Sequence, residues 1–245
     1  MRQIKNQLVG LDTRFNYRGL NQTRIETFSD AVFAFSLTLV VLSSSVPETV
    51  VDLKNSFRNI VPFFACSILI VLFWFQHYIF FLRYGLQDIK TVVINTILLF
   101  TLLIYVYPLK FLMTFLYELC AFALTGDVSR VSNIMNSEEG GWYLMVSYGV
   151  GASVIFLTLM WLYYHAYSKR KELGLNEYEQ FLTKISIVSN LLMSSIPTLS
   201  AILVFAGVHY AVAGYIYMIY PFVMIPFGVI VRRKSRKLFP EGQET

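Results

Sequence analysis

Apolar residues dominate six long stretches of the chain, near Thr27 to Val46, Ile60 to Leu82, Thr91 to Tyr117, Trp142 to Tyr164, Ile185 to Val208 and Ala211 to Val231. A helix that crosses the roughly 30 Å hydrocarbon core needs about 20 consecutive, mostly apolar residues. Each stretch meets that length. The pattern therefore predicts an all-α integral membrane protein with six transmembrane helices. The last two stretches part only around Gly207, Val208, His209 and Tyr210, so a single re-entrant element stays open as an alternative to two crossings.

Composition agrees with this reading. Of 245 residues, 56% are hydrophobic and 14% charged, where a soluble domain carries about a quarter charged residues. Sixteen of the 20 basic residues fall on one side of the predicted membrane: in the segment up to Arg24, at Arg83 and Lys90, at Lys169, Arg170, Lys171 and Lys184, and from Arg232 to Lys237. The excess of lysine and arginine in cytoplasmic segments orients membrane proteins, so both termini are placed inside. Lys54, Arg58, Lys110 and Arg130 are left to the outer side, with Glu48, Asp52, Asp127, Glu138 and Glu139 in its loops. The predicted organisation is a cytoplasmic or interfacial segment over 1–24, a six-helix membrane domain over 25–231 and a basic cytoplasmic tail over 232–245. The location is the cell membrane, as a multi-pass protein in contact with lipids. The net charge of +5 follows from that orientation and implies no nucleic-acid partner.

Before the first crossing, Ile4, Leu8, Leu11 and Phe15 recur at helical spacing among basic residues. A short helix lying on the inner membrane surface reads this way, and so does a partly disordered basic tail. No apolar run of signal-peptide length occurs in the first twenty residues. Cys66 and Cys120 lie in separate apolar runs and suggest neither a disulfide framework nor a metal site.

The first crossing holds the unusual chemistry. Ser29 and Asp30 sit within its apolar run, and a charge at membrane depth costs about 2.5–3.5 kcal/mol on insertion scales unless it is paired. The second helix returns inward, which brings Trp74 and His77, three residues apart on one face, to the depth of Asp30. Their ring N–H groups can donate to Ser29 and Asp30. Such a cluster either locks two helices together or acts in ion conduction or pH sensing. On another face of the first helix, Phe28, Ala31, Phe35, Thr38, Leu39, Leu42 and Val46 form one stripe at about 100° per residue. Taken alone, that stripe is compatible with ordinary packing against lipid or another helix.

The arrangement Arg24-x3-Phe28-Ser29-Asp30, with a threonine eight residues after the aspartate, resembles the signature of the lysosomal and endosomal potassium channel family, which includes bacterial single-repeat members. Trp74-x2-His77 is similar to the family's second landmark, and six crossings with both ends inside match one family repeat. The resemblance implies a homotetramer in which four copies of the first helix line a central pore that passes monovalent cations. It places the hydrophobic constriction, or gate, on Phe35, Leu39 and Leu42, and a potassium-selective layer on Thr38, where potassium would bind transiently. It places a hydrogen-bond network on Arg24, Ser29, Asp30, Trp74 and His77. No cofactor is implied beyond the permeant potassium ion. The family carries an aliphatic residue at the first constriction, and Phe35 departs from that. This chain also has no TVGYG filter and no arginine-rich voltage-sensing helix.

Two other classes remain at this point. A small secondary transporter is suggested by the echo of Tyr107-Pro108 in the third stretch and Tyr220-Pro221 in the sixth, because transporters often break helices at matching places in two halves. Against it, no carboxylate lies near the middle of a crossing. An enzyme would need a motif such as HExxH or GxSxG. Neither occurs, and His77, His165 and His209 fall on different helices.

Overall fold

The computed structural model describes residue 12 and residues 14–43, 48–126 and 138–240. Among these the regular elements are all helical: α1 (Arg24–Leu42), α2 (Val50–Arg58), α3 (Ile60–Tyr84), α4 (Ile89–Thr125), α5 (Glu138–Ser168), α6 (Glu177–Phe205), α7 (Tyr210–Tyr215), a 3-10 turn (Ile216–Met218) and α8 (Ile219–Leu238). Six spans are long and apolar enough to cross a membrane: α1, α3, α4, Gly140–Ser168 of α5, α6, and Val212–Leu238. The protein is thus a multi-pass membrane protein. Val46, the expected end of the first crossing, lies outside the described residues, as do Ile4, Leu8 and Leu11.

The helix boundaries follow local chemistry. Thr23 and Glu26 form a reciprocal capping box that starts α1: Glu26 N–H donates to Thr23 Oγ1 (3.3 Å) and Thr23 N–H to Glu26 Oε1 (3.1 Å), which satisfies two of the orphan donors of a helix start. Asn176 and Glu179 do the same for α6. Gly85 ends α3 in the left-handed region (φ 57°), where glycine alone avoids a Cβ penalty. The short α2 was not anticipated. Its nine residues mix charged and apolar types, and the hydropathy pattern reads them as outer loop.

The sixth crossing is interrupted. Pro221 has no N–H to give the carbonyl of Tyr217, and the chain tightens into the 3-10 turn at Ile216–Met218 before α8 begins. Pro108, Pro197 and Pro226 stay within α4, α6 and α8. The boundary expected after residue 231 falls inside α8, which continues to Leu238.

α1, α3 and α4 pack on one another, α5 joins α4 to α6, and α8 rests on α6 with no residue of its own buried. Gly151 is where α5 meets α4. A Cβ there would stand 2.2 Å from the Tyr105 ring, so only hydrogen permits the approach.

The described residues before α1 are part of the bundle. Residues 16–20 are not helical, and Phe15 is completely buried, with its ring edge-on to Tyr84 and the Arg83 guanidinium 5.1 Å above it. Backbone bonds from Arg18 to Arg83 (3.4 Å) and from Gly19 to Leu82 (3.0 Å) fasten this strap to the end of α3. Phe15 therefore does not lie on a membrane surface. Helical spacing from Ile4 suggested that it would, but a deep aromatic pocket takes its ring instead.

The strap reaches α6 through charge. Arg18 Nη2 meets Glu179 Oε2 at 2.8 Å, while the Asn16 and Asn176 N–H groups donate to the same carboxylate at 2.7 and 3.0 Å. Asp12 and Arg14 both bond Tyr178, and Arg14 also donates to the Phe239 carbonyl (3.3 Å). The two ends of the described chain thus share one face of the bundle, the face rich in lysine and arginine, and it is called the inner face below.

Candidate pore-lining face and its supporting network

The two faces of α1 differ sharply. Ser29, Phe33, Ser36 and Val40 are buried against α3 and α4. Phe28, Ala31, Phe35, Thr38 and Leu42 are uncovered, Phe35 at 54% and Leu42 at 69% exposure. At about 100° per residue, Thr38 and Ala31 lie within about 10° of the direction opposite the centre of the buried row, Leu42 about 30° away and Phe35 about 50°. Leu39 lies near 90°. It is half-buried and packs on the core, at the edge of the uncovered face.

Thr38 Oγ1 donates to the carbonyl of Ala34 at 3.1 Å. That bond uses the hydroxyl proton and leaves the oxygen free to act as an acceptor. Among the described residues nothing donates a hydrogen bond to this oxygen, so its lone pairs can accept one or ligate a cation.

Two hydrogen-bonded branches secure the inner half of α1. In the first, Trp74 Nε1 donates to Asp30 Oδ1 (2.8 Å) and Gln22 Nε2 to Asp30 Oδ2 (3.1 Å), so both carboxylate oxygens are engaged. In the second, His77 Nε2 donates to Asn95 Oδ1 (2.9 Å), Asn95 Nδ2 to Ser29 Oγ (2.8 Å) and Ser29 Oγ to the carbonyl of Ile25 (2.8 Å). The donors all run in one direction, which requires the hydrogen of the His77 ring on Nε2. His77 lies between the rings of Phe33 (5.5 Å) and Phe81 (4.6 Å), which fixes its plane.

The structure thus brings together Ser29, Asp30, Trp74 and His77 but divides them between two branches. His77 reaches Ser29 only through Asn95. Arg24 is exposed and, among the described residues, forms no hydrogen bond or ion pair; at about 100° per residue it lies about 120° around α1 from Asp30. Asn95 and Gln22 were missed from the sequence. Asn95 had a signal, a carboxamide inside an apolar run, since such groups hydrogen-bond across membrane helices. Gln22 precedes the helix and had none.

A second polar cluster sits at the inner end of α4 and α5. Asp88 accepts from Thr91 Oγ1 (2.7 Å) and His165 Nε2 (2.8 Å), with Lys169 Nζ at 3.9 Å. His165, which the sequence places on a different helix from His77 and His209, finds its partner here. Partial burial pushes the Asp88 carboxyl up, but the hydrogen bonds from Thr91 and His165 and the charge of Lys169 outweigh it and hold the group below the usual carboxylate range.

Comparison with known proteins places this geometry. The sequence profile of a family described as "Endosomal/lysosomal potassium channel TMEM175" matches residues 24–108, from the first residue of α1 into α4. Over 249 residues the chain is 48% identical to a protein of Marivirga tractuosa named "Potassium channel", covering 98% of this chain and 100% of the relative. The crystal structure of the potassium channel MtTMEM175 T38A variant, in complex with a nanobody–MBP fusion protein, matches with a TM-score of 0.83 at 48% identity, over 92% of this chain and 100% of that one. The chain belongs to the endosomal/lysosomal potassium channel TMEM175 family, a family of ion channels and not of enzymes.

Proposed function

We propose that the chain is the subunit of a homotetrameric, potassium-permeable cation channel whose pore is lined by four copies of α1. The observation that carries this reading is the uncovered face of α1. From Phe28 to Leu42 it is apolar apart from Thr38, with Arg24 and Thr27 confined to its inner end, and Thr38 stands at its centre, opposite the buried row that anchors the helix. Family membership supports a channel over a secondary transporter.

Phe35, Leu39 and Leu42 form the constriction. A narrow apolar neck gates by dewetting: it expels water, and a desolvated ion cannot cross. Opening moves the four α1 helices apart or rotates them, and the two polar branches at Ser29 and Asp30 set the axis about which each one turns. Phe35 is bulkier than the aliphatic residue of the family pattern and makes the first ring tighter. Leu39 contributes only an edge, given its half-burial. Four Thr38 oxygens, with lone pairs directed to the axis, replace part of the water shell of a passing cation. Potassium is preferred because its shell is cheaper to strip than that of sodium. So small an oxygen layer discriminates moderately.

The test is flux from liposomes containing the purified protein under a potassium gradient, with sodium and the Thr38→Ala variant in parallel. The expected result is electrogenic flux that favours potassium and is uncoupled from other ions, with a lower potassium-to-sodium ratio in the variant. Absence of flux, or flux strictly coupled to a second ion, overturns the channel. An unchanged ratio removes Thr38 from the filter.

A further inference from the structure

The outer end of α1 is held by a charge from another helix. A helix C-terminus leaves its last carbonyls without intrahelical donors and carries the equivalent of about half a negative charge. α1 has no basic residue in its last turn. Lys110 of α4 supplies one: its Nζ donates to the carbonyl of Val40 at 3.0 Å and to Ser43 Oγ at 2.8 Å, and Ser43 Oγ donates in turn to Val40 O at 2.9 Å. Val40 lies two residues beyond Thr38 and two before Leu42. The ammonium is therefore at the level of the outer constriction, on the side of α1 turned away from the uncovered face.

Resting on the reading of α1 as the pore helix, we propose that Lys110 is a positioning residue for permeation, which fixes the outer turn of α1 and lowers cation occupancy at the outer mouth. The carbonyl end of each α1 attracts a cation about to enter from outside, and the Lys110 ammonium opposes that attraction. In a fourfold assembly four such charges surround the mouth and restrict inward current relative to outward current. Removing a positive charge shifts the potential at the mouth in the same direction whatever else the ammonium touches. Because the mouth is wet, salt screens the effect, with a Debye length of about 10 Å at 0.1 M and 3 Å at 1 M.

The experiment compares the full-length wild type with Lys110→Gln and Lys110→Arg in lipid bilayers, as current–voltage curves in symmetric potassium at about 0.1 M and about 1 M. Glutamine keeps an N–H for Val40 and loses the charge, whereas arginine keeps both. At low salt the glutamine variant is expected to raise the ratio of inward to outward current roughly two- to fivefold, as four partly screened unit charges near 10 Å would. The increase collapses at high salt, and arginine follows the wild type. Ser43→Asp, which sets an opposite charge beside an intact Lys110, is expected to reproduce the glutamine effect and serves if Lys110→Gln does not assemble. Curves that superimpose on wild type at both salts, or a ratio that rises equally at both, overturn the proposal. A wild type that carries no current overturns the channel reading instead.

Discussion

The ion pair between Arg18 and Glu179 offers a test in which the two halves should not be equivalent. Glu179 is completely buried, and its carboxylate receives the Arg18 guanidinium and the N–H groups of Asn16 and Asn176. Arg18 is about one-fifth exposed and has other acceptors, the carbonyls of Leu173 (2.7 Å), Asn16 (2.6 Å) and Gly174 (3.2 Å). Arg18→Met strands a buried carboxylate, which costs about 3–5 kcal/mol. Glu179→Gln leaves a cation that keeps three carbonyl partners and some water, although the new amide NH2 must face one of the two backbone N–H donors. The loss is about 1.5–3 kcal/mol, the worth of a hydrogen bond to a charged group. The double variant Arg18→Met/Glu179→Gln should lie closer to Glu179→Gln than to Arg18→Met, because no charge is then left buried and unpaired. The assay is thermal unfolding in detergent, followed by tryptophan fluorescence, with each kcal/mol worth about 2–4 °C in a chain of this size. If Glu179→Gln destabilises as much as Arg18→Met, or if the double variant is as unstable as the sum of the two, the strap is not held by a buried carboxylate and the argument fails.

Replacing Asn95 by leucine strands the His77 N–H in the bundle interior and should cost about 1–3 kcal/mol. Adding His77→Phe should recover part of that loss, which a double-mutant cycle of unfolding midpoints will read. Gly151→Ala is expected to lower stability by about 1–3 kcal/mol through overpacking against Tyr105, and Tyr105→Leu should relieve it in the same thermal assay. Asp88 is held below its ordinary range, as is Asp12, where burial is outweighed by hydrogen bonds from Arg14 and Tyr178. Both therefore contribute stability that is fully present above about pH 4, the unfolded carboxylate pKa, and is lost as pH falls through the lower folded values. Acid unfolding curves of Asp88→Asn should be flatter below that pH than those of the wild type, and identical acid limbs would show that Asp88 contributes nothing.

What the sequence determined by itself was whatever depends on runs and periods. Lipid cannot satisfy backbone groups, so apolar stretches of membrane-crossing length have to become helices. The positions of lysine and arginine orient them without reference to any contact. A helical period also places Phe28, Ala31, Phe35, Thr38 and Leu42 on one face and Ser29 on another before any coordinate is known. The tertiary structure decided what depends on which helix neighbours which. Trp74 could be placed at the depth of Asp30 from topology alone. Asn95 could not, since nothing in a linear pattern says that α4 lies between His77 and Ser29. Leu39 falls on the stripe by angle, yet the packing of α3 and α4 covers half of it. Phe15 has the spacing of a surface helix, and only the pocket beneath Arg83 and Tyr84 draws it into the core. Periodicity is a property of one helix, whereas burial and hydrogen bonding between helices belong to a pair, and the pairs come into being when the bundle closes.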